Sequence, residues 1–245
     1  MLEATETNNN KTMQNYYKTI GALVVASALA AGNASAEVEA DLHAGYSSAY
    51  MFRGVKIGDD LLETGLNLAT EYNGLGISGG LWHGTFTNEG DSFTELDVYG
   101  EVSKEFSFAT LALGYIYYDN ERNFDVDYSE AYISASREIY GIDTSLTFFA
   151  EIEGDTETYI ELAAGKSFEL SQCLTLNTGA VLGYVSENRE FSHIGVKAAL
   201  DYAYSETATI SPFLAYSWAL TGNEDSVYDS SDNELTAGTM LSVSF

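Results

Sequence analysis

Disulfide bonds within the chain are excluded, because Cys173 is the only cysteine among 245 residues. Strand pairing and side-chain packing must therefore stabilise the fold without the bridges that many exported domains use. Proline is equally scarce, and Pro212 is its only occurrence. Since proline has no N–H to donate to a strand ladder, we expect a bulge or a late strand start at Pro212.

Basic residues are also few. The chain has 10 Lys and Arg against 37 Asp and Glu, for a formal net charge of -27. This charge repels nucleic acid and other polyanions, so we predict no nucleic-acid partner. Two interpretations of the acidity stay open: a solubilising surface, as in a salty habitat, or a specific role in handling cations.

Long hydrophobic runs are missing, since no apolar stretch reaches the ~20 residues that a membrane-spanning helix needs. The apolar run at 20–31 follows two lysines and precedes the small residues 34–36. This order is typical of an export signal with an Ala-x-Ala cleavage site. We interpret residues 1–36 as a signal peptide cleaved before Glu37, with Met13 as an alternative start.

The remaining residues, 37–245, show a period of two. Between 174 and 184, for example, mostly apolar residues at even positions alternate with mostly small or polar ones at odd positions. A β-strand places alternate side chains on opposite faces, so this period predicts strands. The pattern predicts twelve of them: 38–52, 62–73, 75–85, 93–105, 108–118, 129–139, 142–152, 157–168, 174–185, 192–204, 207–219 and 235–245.

These segments predict an all-β fold, a transmembrane antiparallel up-and-down barrel of about twelve strands that spans 37–245. An even strand count and strand lengths of about ten residues suit bacterial outer-membrane barrels. The final segment places Leu241, Val243 and Phe245 on one face, and a terminal Phe in such a strand is typical of Gram-negative outer-membrane proteins. We therefore predict an outer-membrane location.

The connections predict the orientation. Short turns are expected at 73–74, 106–107, 140–141, 169–173 and 205–206. Longer polar loops are expected at 53–61, 86–92, 119–128, 153–156, 186–191 and 220–234. Alternating short turns and long loops are typical of a barrel with both termini on the periplasmic side.

One segment carries a family resemblance. It contains Tyr50-Met51-Phe52-Arg53-Gly54 and, further on, Gly79-Gly80-Leu81-Trp82. It resembles the opening of a family of uncharacterised bacterial envelope proteins labelled Gcw_chp, whose members begin with a similar Tyr-x-Phe-Arg-Gly pattern. The resemblance covers about the first quarter of residues 37–245 and implies an outer-membrane barrel without an established activity.

The polar faces of the predicted strands are acidic. A charged side chain that faces lipid costs up to about 2–4 kcal/mol, which favours an inward position. Rings of carboxylates raise the local concentration of cations and repel anions. The residues predicted to line the lumen are Glu63, Glu71, Glu95, Asp97, Glu101, Glu130, Glu151, Glu161, Lys197 and Asp201.

Three functions are compatible with these patterns. The first is passive passage or binding of small polar or cationic solutes. The second is a structural or surface-interaction barrel plugged by its own side chains, because twelve strands lie between filled and open barrels. The third, an outer-membrane hydrolase, is disfavoured: the sequence has three histidines, His43, His83 and His193, and no Gly-x-Ser-x-Gly element.

We accordingly predict no catalytic residue, no cofactor and no metal site. The acidic segment 223–234 offers oxygen ligands, but its spacing matches no EF-hand loop, and a solvated loop is the better interpretation. The expected partners are outer-membrane lipids, small solutes and the barrel assembly machinery, the last through the strand that ends in Phe245. Lys104 and Arg137 fall on the lipid-facing register near strand ends, where their side chains can reach the membrane interface.

Overall fold

The computed structural model describes residues 37–121, 127–152, 158–186, 189–220 and 233–245. The predicted signal peptide and most of the acidic segment 223–234 lie outside these ranges. Within them, no helix is long and apolar enough to cross a membrane.

Twelve antiparallel strands form a closed barrel, in which each strand pairs with its sequence neighbours and β1 pairs with β12. This confirms the predicted fold class and strand count. The strands are β1 (Glu39–Phe52), β2 (Val55–Tyr72), β3 (Leu75–Asn88), β4 (Asp91–Glu105), β5 (Thr110–Glu121), β6 (Tyr128–Ile139), β7 (Ile142–Glu151), β8 (Thr158–Ser171), β9 (Leu174–Val185), β10 (Glu190–Ala203), β11 (Ala208–Ala219) and β12 (Glu234–Ser244).

The outer wall of the barrel is apolar. Leu62, Leu113, Leu162, Leu214 and Leu235 are each between 49% and 64% exposed, although they lie in regular strands. Leucines exposed all around a barrel need an apolar surrounding, because contiguous apolar patches of this extent are rare on proteins that face water. Alternation of apolar outward and polar inward residues is the arrangement of a membrane-spanning barrel.

Both described chain ends lie at one end of the barrel, here named the near end, where the backbones of Ala40 and Phe245 exchange two hydrogen bonds. The connections at this end contain two to four residues: 73–74, 106–109, 140–141, 172–173 and 204–207. At the opposite end, the far end, four connections are longer: 122–127, 152–157, 186–189 and 220–233.

The other two far-end connections correct the prediction. Residues 53–61 and 86–92 were expected as loops, but two-residue turns connect the strands at Arg53-Gly54 and Glu89-Gly90. All four turn residues have positive φ, between 50° and 92°, as in the type I′ turns of tight hairpins. At these strand ends no continuous apolar face toward lipid is needed, so the period of two fades from the sequence while backbone pairing continues.

The expectation at Pro212 is also wrong. Strand β11 begins at Ala208 and pairs with β12 without a register shift, with Pro212 opposite Thr239. On the β10 side, pairing stops between Ala199–Phe213 and Tyr202–Ile210 and resumes in the same register. The missing N–H of Pro212 thus interrupts one ladder locally, and the strand neither bulges nor starts late.

Candidate functional site in the barrel lumen

The hairpin formed by β1 and β2 leaves the barrel wall at the far end. Strand β1 pairs with β12 only as far as Ser47, and β2 pairs with β3 only from Asp59 onward. Residues 50–58, here named the tip hairpin, pair only with each other among the described strands. No ladder hydrogen bond therefore fastens the tip hairpin to the wall.

Irregular backbone marks the base of the tip hairpin. The register between β1 and β2 shifts between Tyr50 and Met51, and the register between β2 and β3 shifts between Asp59 and Leu62. Within the second shift, Asp60 has a φ of 54°, which is uncommon for a residue with a side chain. Bulges of this kind bend a strand, so they direct the tip hairpin away from the path of the wall.

The tip hairpin crosses the lumen and binds the opposite wall through Arg53. Its guanidinium donates two hydrogen bonds to Glu130 on β6, from Nη1 to Oε1 at 2.7 Å and from Nη2 to Oε2 at 2.6 Å. Tyr118 on β5 donates a further hydrogen bond to Oε2 at 3.0 Å. The side chains of Arg53 and Glu130 are 6% and 2% exposed, so this fork is a buried ion pair.

Three aromatic rings enclose the same guanidinium. Its Cζ atom lies 4.8 Å from the ring centroid of Phe52, 4.6 Å from that of Phe149 on β7 and 4.5 Å from that of Tyr159 on β8. A cation this close to aromatic faces is attracted by the ring quadrupoles, and more strongly where water is excluded. Arg53 is therefore held by three strands of the opposite wall.

Gly54 completes the contact with that wall at β10. A Cβ atom on Gly54 would collide with the imidazole of His193, which is 3% exposed. The His193 ring is stacked almost parallel to that of Tyr159, with centroids 6.5 Å apart. Only glycine combines the φ of 85° found here with so close an approach to a ring.

A second aromatic cluster fills the space between the tip hairpin and β3–β4. Tyr50 packs on Phe86 with ring centroids 5.0 Å apart, and on Trp82 at 5.6 Å. The Tyr50 hydroxyl donates a hydrogen bond to Glu95 at 3.1 Å. The far end of the lumen is thus occupied by side chains on both sides of the tip hairpin.

On the near-end side of the tip hairpin, the lumen contains two cavities. A cavity of about 600 Å³ is bordered by Arg53, Gly54, His193 and Lys197, and a larger one of about 870 Å³ is bordered by Glu63, Asp97, Lys197 and Asp201, among other residues. Volumes of this size hold many water molecules.

The position of Lys197 indicates that these cavities contain water. It lies on the inward register of β10 opposite Gly179, yet its side chain is exposed. Its Nζ atom lies 4.3 Å from the ring centroid of Phe213, and it forms no ion pair with the described residues. An ammonium group in this position requires water around it, because an unpaired buried charge is very costly.

The predicted carboxylates all take the inward register, but their surroundings differ. Glu95 and Glu130 are buried against the tip hairpin, whereas Glu71 is exposed close to the near end. Glu151 stands directly across the ladder from Glu130. Several of the others accept hydrogen bonds from lumen side chains: Glu63 from Trp82 at 2.8 Å, Glu101 from Tyr132 at 2.8 Å, Glu161 from Tyr159 at 3.3 Å and Asp201 from Asn177 at 2.6 Å.

Sequence reasoning missed the part that the tip hairpin plays. The sequence predicts Arg53 in an external loop and marks it only through the family resemblance, but it is the residue that binds the opposite wall. The inward aromatic residues were missed as well, because the alternation was read for apolar residues on the outer face. A usable signal was present: Phe86, Phe93 and Phe149 fall on the inward register at far-end strand termini.

On β10 a hydroxyl lies beside an imidazole in a buried position, and among the described residues the possible metal ligands do not gather at one place. Ser192 Oγ lies 3.1 Å from Nδ1 of its neighbour His193, but both side chains are buried. In the part of the chain that the structure covers, no group of three or more His, Cys, Asp or Glu side chains is placed to hold a metal ion.

Comparison with known proteins identifies the architecture. No family model matches the chain, and no curated protein sequence matches it. Solved structures are similar. An outer membrane channel from Pseudomonas putida F1 has a TM-score of 0.53 at 9% identity, covering 85% of this chain and 95% of that one. The KdgM porin has a TM-score of 0.51 at 10% identity, covering 84% of this chain and 99% of that one.

The same KdgM porin solved in complex with disordered oligogalacturonate gives a TM-score of 0.50 at 11% identity. The chain has the fold of outer-membrane barrels. That fold agrees with the apolar outer wall described above.

Proposed function

We propose that the protein is a porin-like channel of a Gram-negative outer membrane, which passes small polar solutes and prefers cations. The observation that carries this proposal is the unfilled volume in the lumen on the near side of the tip hairpin. Cavities of about 600 and 870 Å³ are bordered there by Lys197 and several carboxylates. A barrel that served only as a scaffold would have no need to keep this volume unfilled.

The preference for cations follows from the charges. Glu63, Glu101 and Asp201 accept hydrogen bonds from an indole, a phenol and an amide, which are neutral donors. Such donors stabilise a carboxylate without cancelling its charge. The lumen therefore keeps a negative potential that attracts cations and repels anions.

A second candidate function, a non-conducting structural or surface-interaction barrel, is supported by the tip hairpin. Arg53 and Gly54 touch the opposite wall at four strands, and aromatic side chains fill the adjacent space.

Absence of enzyme activity is part of the proposal, as is kinship with the Gcw_chp-like proteins. The residues that carry that resemblance, Tyr50 to Gly54, form the tip hairpin itself.

Single-channel recording in planar bilayers under a salt gradient tests the proposal, because it reports both conductance and charge selectivity. Glu101→Gln combined with Asp201→Asn should lower the cation over anion selectivity, and less so at 1 M salt, where the screening length is about 3 Å. The matched control, Glu89→Gln with Glu206→Gln, removes two charges from exposed turns and should leave selectivity unchanged. A folded wild type that never conducts would support the closed barrel instead.

Outer-membrane lipids are the first partner that we propose. Lys104 on β4, Arg137 on β6 and Lys166 on β8 point outward close to the near end, and none pairs with a described carboxylate. Lys104 and Lys166 instead lie over the rings of Phe106 and Phe168, at 5.6 and 5.7 Å. Unpaired cations beside interfacial aromatics suit lipid phosphates.

Neutralising all three basic residues tests the lipid proposal. The triple variant to Gln should lose stability in vesicles that contain phosphatidylglycerol and little or none in phosphatidylcholine. An equal loss in both lipids would contradict a role in phosphate binding.

The barrel assembly machinery is the second proposed partner, through β12 and the 69% exposed Phe245 at the near end.

A further inference from the structure

We infer that the tip hairpin is a movable gate and that the buried pair of Arg53 and Glu130 is its latch. This inference rests on the proposed channel function and adds a means of regulating it. In the described structure the gate is closed, with its tip against the opposite wall.

The attachment of the tip hairpin makes movement feasible. The strands of the wall are fastened on both sides by ladder hydrogen bonds along most of their length, and in the β3–β4 hairpin only Asn88 and residues 91–93 lack an outer partner. Residues 50–58 are a longer segment that pairs only with itself. A two-stranded hairpin without further partners is marginally stable, so its position depends on side-chain contacts. The register shifts at Tyr50–Met51 and Asp59–Leu62 interrupt the regular ladder at its base, where the strands bend.

The contacts that hold the tip are concentrated at one place. Arg53 is bound by Glu130 and three rings, and the adjacent Gly54 lies against His193. Nearer the base, the hydrogen bond from Tyr50 to Glu95 is single and longer, at 3.1 Å. Closer to the base, Lys56 also pairs with Glu234 on β12 at 3.7 Å, and Ile57 packs against the second aromatic cluster. Loss of the tip contacts would therefore free Arg53 and Gly54 from the opposite wall while the base of the hairpin stays attached.

The tip also stands where closure would control passage. The cavity of about 600 Å³ has Arg53, Gly54 and His193 on its border, so the closed tip is one of its walls. Withdrawing the tip would remove that wall and join the cavity to solvent at the far end. Release would also hydrate Arg53 and Glu130 together, which avoids leaving either charge buried without a partner.

A reversible disulfide tests the gate. The Cβ of His193 lies 2.6 Å from the position that a Cβ on residue 54 would take. Removing the imidazole and shifting the tip by about 1 Å gives the ~3.8 Å separation that disulfides require. The variant is Gly54→Cys with His193→Cys in a Cys173→Ser background, which removes the native thiol.

The oxidised variant should conduct at least tenfold less than the same molecules after reduction in the same bilayer. Cys173→Ser alone and each single cysteine variant, measured with and without reductant, are the controls. Arg53→Gln with Glu130→Gln, which removes both charges of the latch, should raise the open probability relative to wild type. Folding of every variant is checked by its shift in gel migration on boiling.

The results of these recordings distinguish the gate proposal from the channel proposal. Equal conductance of the oxidised and reduced forms, with an active wild type, would overturn the gate and leave the channel standing. Silence of every folded form, including the reduced variant and the latch variant, would overturn the channel function and the gate with it.

Discussion

Gly54→Ala tests directly whether the tip hairpin rests against His193 on β10. The added methyl group meets two separate difficulties. The backbone at residue 54 has a φ of 85°, which side chains disfavour, and the new Cβ would overlap the His193 ring. A matched control isolates the second difficulty: Gly90 also occupies a far-end turn with a φ of 92°, and a Cβ there meets nothing within 4 Å.

The expected magnitudes differ accordingly. Left-handed backbone costs an alanine about 1–2 kcal/mol, and both variants bear this cost. Forcing an additional group into a packed site costs about 1–3 kcal/mol more, which applies to Gly54→Ala alone. Gly54→Ala should therefore lower the free energy of unfolding by about 1–3 kcal/mol more than Gly90→Ala does. Movement of the tip away from His193 would make the difference in unfolding free energy between the two variants smaller and would raise the conductance.

Urea unfolding in detergent or vesicles, followed by tryptophan fluorescence, measures these values. The chain has two tryptophans, and Trp82 packs against Tyr50 of the tip hairpin while Trp218 is exposed on the outer wall. A Trp218→Phe background makes the signal specific to the region beside the hairpin. Adding His193→Ala to Gly54→Ala should recover about 1–3 kcal/mol as a coupling free energy, since the collision is gone.

Equal destabilisation by Gly54→Ala and Gly90→Ala, with the conductance of Gly54→Ala unchanged from wild type, would refute the contact between Gly54 and His193. Absence of coupling in the double variant, with an unchanged native fold, would refute it independently. Either result would mean that the tip hairpin does not rest on β10.

Two further predictions concern charge and orientation. Lys197→Gln should increase the cation over anion selectivity of the channel, because it removes a positive charge exposed in the lumen, whereas Lys166→Gln on the outer wall should leave selectivity unaltered. An epitope tag inserted at Gly90 should bind antibody on intact cells and one at Asn73 should not, because these turns lie at opposite barrel ends; the reverse pattern would mean that the near end faces outward.

Local sequence signals were enough to predict the wall of the barrel. The period of two located twelve strands, and the described ladders show the alternation that it implied, such as Leu62 outward next to Glu63 inward. These features depend on each residue's immediate neighbours and on contact with lipid, which the composition of every strand records. The extension of β2 to Val55 was not predictable in this way, since residues 55–58 belong to the tip hairpin inside the lumen and present no face to lipid.

Long-range contacts decided the arrangement of the lumen. Arg53 and Glu130 are 77 residues apart, and neither residue's local pattern indicates that they meet. The alternating sequence pattern predicts the same inward position for Glu95, Glu130 and Glu71. In the structure the first two are buried by the tip hairpin and the third is exposed. By itself the sequence determined the barrel, its strand number and the inward placement of its carboxylates. Only the tertiary structure decided which carboxylates face open lumen and which hold the hairpin, because that depends on how one hairpin bends at its base and which side chains of the opposite wall it meets.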